Sequence, residues 1–257
     1  MDQLTAYVLH LADNNLILTQ RNGEWCGHGP ILEQDIAITN ITLDLIGQSR
    51  NFYQYAAGLI NNSAGAANLQ PATEDSLAYL RKEREFKNCL LVEQQNGDWA
   101  QTITRQFLYS AYQYFLYEKM QHSKDEQLAG IAAKAFKEVS YHLTWSSEWV
   151  IRLGDGTEES HERTQNAVNE LWRYTGEMFE PTAYEQQMAA EEIAPDPSAL
   201  KESWMKKVQE VFEEATLMIP EKTFMQTGGK KGIHTEQLGY ILTELQYLQR
   251  TYPGAEW

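Results

Sequence analysis

The chain has little of what the alternatives to a helical protein would require. Valine occurs only seven times in 257 residues, and no run of strict polar–apolar alternation is long enough to argue for a sheet. Cysteine is limited to Cys26 and Cys89, too few for a disulfide framework and without CxxC spacing. Two free thiols in a reducing cytoplasm are expected. No apolar run approaches the length that spans a bilayer, and Met1-Asp2-Gln3-Leu4 lacks the basic and apolar stretches of a secretory signal. Basic residues are scarce: 21 Lys and Arg stand against 36 Asp and Glu, a formal net charge of −15. That balance repels polyanions, so it argues against nucleic acid and anionic membranes as partners and suits a basic protein patch.

What is abundant is helix former: Leu, Ala, Gln and Glu. Four stretches carry apolar stripes: Leu4, Val8, Leu11, Asn15, Leu18; then Ile38, Ile41, Leu45, Gln48, Phe52, Tyr55; then Ile103, Phe107, Ser110, Tyr114, Tyr117; then Leu128, Ala132, Ala135, Val139, His142, Ser146, Trp149. Alternating steps of three and four keep each set on one helix face. Four such faces bury one another most simply as a four-helix bundle. The expected fold is all-α, a single ferritin-like domain over 1–257 with additional peripheral helices. Bundle helices are expected over about 3–20, 31–59, from Asp98 onward, and 124–153. A charged helix is expected near 75–92, an exposed loop over 61–71, and further helices near 158–180, 197–218 and 234–251, punctuated by Pro181, Pro195, Pro197 and Pro220.

Each stripe holds a polar residue on its apolar face. Di-iron bundles place a Glu from two helices and a Glu-x-x-His from the other two at such inward positions. Here those places hold Asn15, Leu45 with Gln48, Ser110, and Val139 with His142. Iron in such sites needs hard carboxylate oxygens. Leu45 and Val139 offer no donor, Asn15, Gln48 and Ser110 are neutral and poor ligands, and only His142 keeps a good one. The expectation is no metal and no catalytic residue in this chain, with Asn15, Gln48, Ser110 and His142 satisfying one another as a buried network. The alternative is an autonomous di-metal oxidase using displaced carboxylates, Asp13, Asp44 or Glu138 with His142. A one-residue step turns a side chain by about 100° on an α-helix, which puts these acids on a flank. There Asp44 and Glu138 are expected to pair with Lys134, Lys137 or Arg105.

Gly228-Gly229-Lys230-Lys231-Gly232 precedes a helix expected to begin near His234 or Thr235. Backbone N–H groups at a helix start, with Lys230 and Lys231, suit either a phosphate or an acidic patch on a partner. The loop lacks the spacing of a triphosphate-hydrolysing loop. Trp25, Cys26 and His28 lie in the turn between the first two helices, where adjacency alone argues no nucleophilic pair.

Several strings together resemble one family: Gly23-Glu24-Trp25-Cys26-Gly27-His28, Asn40-Ile41-x-Leu43-Asp44-Leu45-x-Gly47-Gln48, Leu90-Leu91-Val92-Glu93-Gln94, Lys137-Glu138-x-x-Tyr141-His142, Arg152-Leu153-Gly154-Asp155-Gly156-Thr157 and Thr227-Gly228-Gly229-Lys230-Lys231-Gly232-x-His234-Thr235-Glu236. They look like the non-catalytic ferritin-like subunits of bacterial phenylacetyl-CoA ring epoxidases. The resemblance covers essentially the whole chain. It implies a multicomponent oxygenase of aerobic phenylacetate breakdown, in which the di-iron centre lies in a related catalytic subunit and a reductase delivers electrons from NADPH. Oxygen is then inserted into the ring of phenylacetyl-CoA to give a 1,2-epoxide. This chain would hold no cofactor and would act as a scaffold, in a heterodimer or higher hetero-oligomer with the catalytic subunit. A homodimer of the isolated chain is left open.

Overall fold

The computed structural model describes residues 2–63 and 70–255. All regular secondary structure among them is helical. Helix α1 spans Gln3–Gly23, α2 Leu32–Asn61, α3 Glu74–Tyr79, α4 Leu90–Glu93, α5 Trp99–Met120, α6 Glu126–Gly154, α7 Glu158–Leu171, α8 Ala183–Ala190, α9 Pro197–Glu214, α10 Glu236–Leu245 and α11 Tyr247–Thr251. Residues 64–69 of the expected 61–71 loop lie outside the described residues. Among the described residues no helix is long and apolar enough to cross a membrane.

The chain divides into two compact units, 1–93 with 228–257, and 94–227. Each is built on a long antiparallel hairpin, the element from which a ferritin-like bundle is made. In the first unit α1 starts on Asp2, whose side chain accepts from Thr5 N at 2.7 Å. Ser49 Oγ on α2 donates to Ala12 O at 3.0 Å, and Tyr53 OH donates to Asp13 Oδ1 at 2.6 Å. A Cβ at Gly23 would lie 3.8 Å from Thr42, so the end of α1 meets α2 at an earlier residue than its middle does. Val8, Leu11 and Leu18 of α1 and Ile38, Ile41, Leu45 and Phe52 of α2 are buried, as their stripes require.

In the second unit α5 starts on Asp98, which accepts from Gln101 N at 3.0 Å, and α6 on Asp125, which accepts from Leu128 N at 2.9 Å. Trp99 meets Trp145 and Trp149 edge-on at 6.1 and 6.2 Å, and Tyr114 meets Phe136 at 5.0 Å, again antiparallel. Helix α9 closes onto this hairpin through an aromatic cluster. Trp204 lies 5.6 Å from Trp172 and 5.0 Å from Phe179, Phe107 lies 5.9 Å from Phe212, and Trp204 Nε1 donates to Leu108 O at 2.9 Å.

Two expectations need correction. The segment 75–92 is not one helix: it is α3, a 3-10 turn at Glu83–Glu85, and α4, joined by extended backbone. The reason is that its backbone groups are taken by side chains from elsewhere in its unit, among them His10, Asn14 and Gln246. The region 158–180 ends as an α-helix at Leu171, continues as two 3-10 turns, and is followed by α8, a short helix set by the Thr182–Glu185 capping box.

Candidate functional site

All six positions singled out by the stripes are buried: Asn15, Leu45, Ser110, Val139 and His142 are fully shielded and Gln48 is 2% exposed. They divide between the units. Asn15 on α1 and Leu45 and Gln48 on α2 belong to the first, at the level marked by the Ser49–Ala12 and Tyr53–Asp13 bonds. Ser110 on α5 and Val139 and His142 on α6 belong to the second. Ser110 Oγ accepts from Gln106 Nε2 at 2.8 Å, a turn earlier in its own helix, and the His142 carbonyl accepts from Ser146 Oγ at 2.6 Å. As donor sets, one amide pair with a Leu and one hydroxyl–imidazole pair with a Val do not fit a di-iron group. Among the described residues no three His, Cys, Asp or Glu side chains gather as a metal site would need.

The displaced carboxylates have other surroundings. Asp13, fully buried, is the centre of a cluster that sequence reading missed. Arg81 donates to both its oxygens, at 3.1 Å from Nη1 to Oδ2 and in a shorter contact from Nη2 to Oδ1. Tyr53 OH donates to Oδ1, and Lys87 N to Oδ2 at 2.8 Å. The Arg81 guanidinium lies over the Phe86 ring at 4.2 Å. Burial first, and then the Asp13 charge, push the Tyr53 phenol well above its ordinary range. Asp13 is thereby saturated, with no geometry left for a metal. Asp44 and Glu138 are half-buried. Arg105, one of the partners expected for them, directs its guanidinium to Gln94 O and, at 2.6 Å, to Asn96 Oδ1.

A second cluster occupies the start of α10. Thr235 N and Oγ1 donate to Glu93 Oε1 at 2.7 and 2.8 Å, and His234 Nδ1 meets Glu93 Oε2 at 2.8 Å. Asn88 Nδ2 donates to the same Oε2 at 2.8 Å, while Arg21 Nε and Nη2 hold the Glu93 carbonyl at 3.1 and 3.0 Å. His234 Nε2 meets Phe86 O at 3.1 Å. Both ring nitrogens therefore face acceptors, which only the imidazolium satisfies fully. Burial lowers the His234 pKa, but the Glu93 bond and charge and the Phe86 carbonyl outweigh it, and the net shift is upward.

This arrangement lies beside the glycine-rich loop. The anion at the helix start is Glu93, supplied by the chain itself, at the place where a phosphate would sit. Lys230 is 2% exposed and so is not offered to a soluble anion, whereas Lys231 is exposed. The glycines serve close packing: a Cβ at Gly229 would collide with Asn88 O and one at Gly232 with Arg84 O, and Gly232 has φ +80°.

The same polar side chains explain the broken 75–92 segment. His10 Nδ1 donates to Lys87 O at 2.7 Å, Asn14 Oδ1 accepts from Cys89 N at 2.8 Å, and Gln246 Nε2 donates to Ala78 O and Arg81 O at 3.2 and 3.0 Å. Buried backbone must be paired somewhere, and here side chains replace the helix ladder. Cys26 is exposed, Cys89 buried, and both are free thiols. The turn carrying Trp25, Cys26 and His28 is held by Asp35, which accepts from Gly27 N and Gly29 N at 3.2 and 3.1 Å. In the second unit an open groove of about 750 Å³ is lined by Tyr114, Phe136, Ser140, Glu148, Lys207 and Glu210 among others; Ser110, Val139 and His142 do not line it.

The chain matches known proteins along its whole length. The family described as phenylacetic acid catabolic protein matches residues 1–257. One component of the 1,2-phenylacetyl-CoA epoxidase of Escherichia coli (strain K12), the subunit designated C, is 50% identical over 257 residues, 100% of this chain and 100% of that one. The chain belongs to the phenylacetic acid catabolic protein family.

Proposed function

We propose that residues 1–257 act as one ferritin-like domain, the structural subunit of a multicomponent 1,2-phenylacetyl-CoA epoxidase of phenylacetate catabolism. In this reading the chain holds no cofactor. It pairs with a catalytic subunit that carries the di-iron centre, and a reductase supplies electrons from NADPH. The observation that carries the non-catalytic part is the chemistry of the buried positions. Leu45 and Val139 have no donor atom, and Asp13, the fully buried one of the three displaced carboxylates, is saturated by Arg81, Tyr53 and Lys87 N. A chain whose buried carboxylates hold backbone and guanidinium is built to support a partner rather than to bind iron.

The variant His142→Leu tests this reading. Removing a buried imidazole that serves the fold costs roughly 1–3 kcal/mol. The isolated chain should therefore unfold at lower urea, while the epoxidase assembled with it keeps its turnover and iron. Loss of both iron and turnover from an intact, fully assembled complex would instead make His142 a ligand and overturn the proposal.

A further inference from the structure

Helices α6 and α9 touch at their C-terminal ends, where a Cβ on Gly154 would collide with Ala215. Away from that contact they part, and the space between them is the open groove of about 750 Å³ in the second unit. Phe136, Ser140, Leu143, Ser147 and Ile151 of α6 line it in steps of four, three, four and four, which sets them along one line of the helix. At 1.5 Å per residue that line is roughly 22 Å long, about four helical turns. Its serines are small, and they leave the room. Such a row is the seam into which the side chains of another helix pack. The ring of Tyr114 meets that of Phe136 at 5.0 Å and walls one end of the groove.

The polar atoms of the groove choose the occupant. Ser140 Oγ, Thr144 Oγ1 and Ser147 Oγ donate to Phe136 O, Ser140 O and Leu143 O of their own helix at 2.6, 2.9 and 2.6 Å. Their protons are spent, so toward the groove these hydroxyls only accept. Exposed Glu148 stands on the α6 wall and exposed Glu210 and Glu214 on the α9 wall, with half-buried Lys207 beside them. Among the described residues none of these four side chains makes a hydrogen bond or an ion pair. Permanent interfaces are apolar at the centre and poor in charge. An apolar neighbour seated here for good would strand three carboxylates away from water. A second copy of this chain would bring a further net −15 against them. Floor and rim are both satisfied by an apolar helix edge flanked by ammonium or guanidinium groups, in a contact that salt can release.

We infer that the α6–α9 groove is a transient docking site for a basic amphipathic helix of a protein outside the permanent assembly. The probe is a labelled synthetic peptide of about four turns, with Leu along one face and Lys on the others, titrated into the full-length chain and followed by fluorescence anisotropy. A second peptide keeps the Leu face and carries Glu in place of Lys. The chain is expected to bind the Lys peptide and not the Glu peptide. The double variant Glu210→Lys with Glu214→Lys should weaken binding by about ten-fold or more, and by less at high salt. Thr144→Trp, which fills the groove from an exposed position, should weaken binding at low and high salt alike while leaving the unfolding midpoint of the chain in place. The double variant Glu162→Lys with Glu170→Lys, on the exposed side of α7, should bind as wild type does. Equal loss in the α7 and α9 variants would reduce the effect to net charge and overturn the inference, as would binding of both peptides alike or of neither. Loss of the catalytic subunit from the α9 or Thr144 variants would place the groove in the permanent assembly and overturn it too. Retained assembly with lost peptide binding is the result expected, and the subunit reading stands whichever way the peptide behaves.

Discussion

The two units bury polar chemistry in different ways. In the first, ionic groups sit at the centre: Asp13 with Arg81 and Tyr53, and Glu93 with His234, each holding irregular backbone between α3 and α4 or the start of α10. In the second, α9 is fastened to the α5–α6 hairpin by rings, with Trp204 between Trp172 and Phe179 and a single indole hydrogen bond to Leu108 O. The difference follows from what each unit must satisfy. A segment that leaves the helix ladder exposes donors and acceptors that buried side chains have to meet. A helix packed on a hairpin keeps its own ladder and needs only apolar contact. Carboxylates inside the first unit are thus structural: Asp13 holds Arg81 and Tyr53, and Glu93 holds the start of α10.

The largest expected effect breaks the ionic centre. Arg81→Met leaves Asp13 buried without its counter-charge, and loss of one partner of a buried pair costs about 3–5 kcal/mol. Urea unfolding should show a fall of that size, with the first unit's amides losing protection from hydrogen exchange before the second's. Equal loss in both units would deny that the ionic cluster is local to the first. A smaller effect is expected in the aromatic unit. Trp204→Phe removes the donor to Leu108 O and part of the ring contact, and should cost roughly 1–3 kcal/mol. Its cost should not vary with pH, since rings and an indole N–H do not titrate.

The subtlest effect separates the units by pH. The folded-state pKa of His234 is raised from 6.5, so the folded chain holds this proton more tightly than the unfolded chain does. Its contribution is fully present below about pH 6.5 and is lost as pH rises through the raised folded value. Stability measured upward from pH 6 should fall across that window in the wild type, and His234→Gln should flatten this component. An unchanged slope in the variant would remove the imidazolium from the account of α10.

The four long helices are legible in the sequence because their stripes repeat in steps of three and four over many turns. Asp98 as a cap is legible because Asn-Gly-Asp breaks the chain before it. The 75–92 segment is not legible as what it is. Its charged composition suits a helix, but its backbone partners lie far away in sequence: His10 is 77 residues from Lys87 and Asn14 is 75 from Cys89. Glu93 and His234 are 141 residues apart. The one local hint is an acid inside the apolar run Leu90-Leu91-Val92-Glu93, a position that asks for a buried partner. Leu45 and Val139 are legible as positions without donors, while the saturation of Asp13 needs the fold.

Iron content is the most direct measurement of the central idea, that this chain supports a di-iron partner without holding the metal. The isolated chain and the catalytic subunit should be purified separately from iron-replete cells, assayed for iron, and tested alone and together for epoxide formation from phenylacetyl-CoA with reductase and NADPH. The expected result is well under one iron per molecule and no epoxide from this chain alone, with the iron in the catalytic subunit. Stoichiometric iron in this chain, together with epoxide formation in the absence of the catalytic subunit, would contradict it.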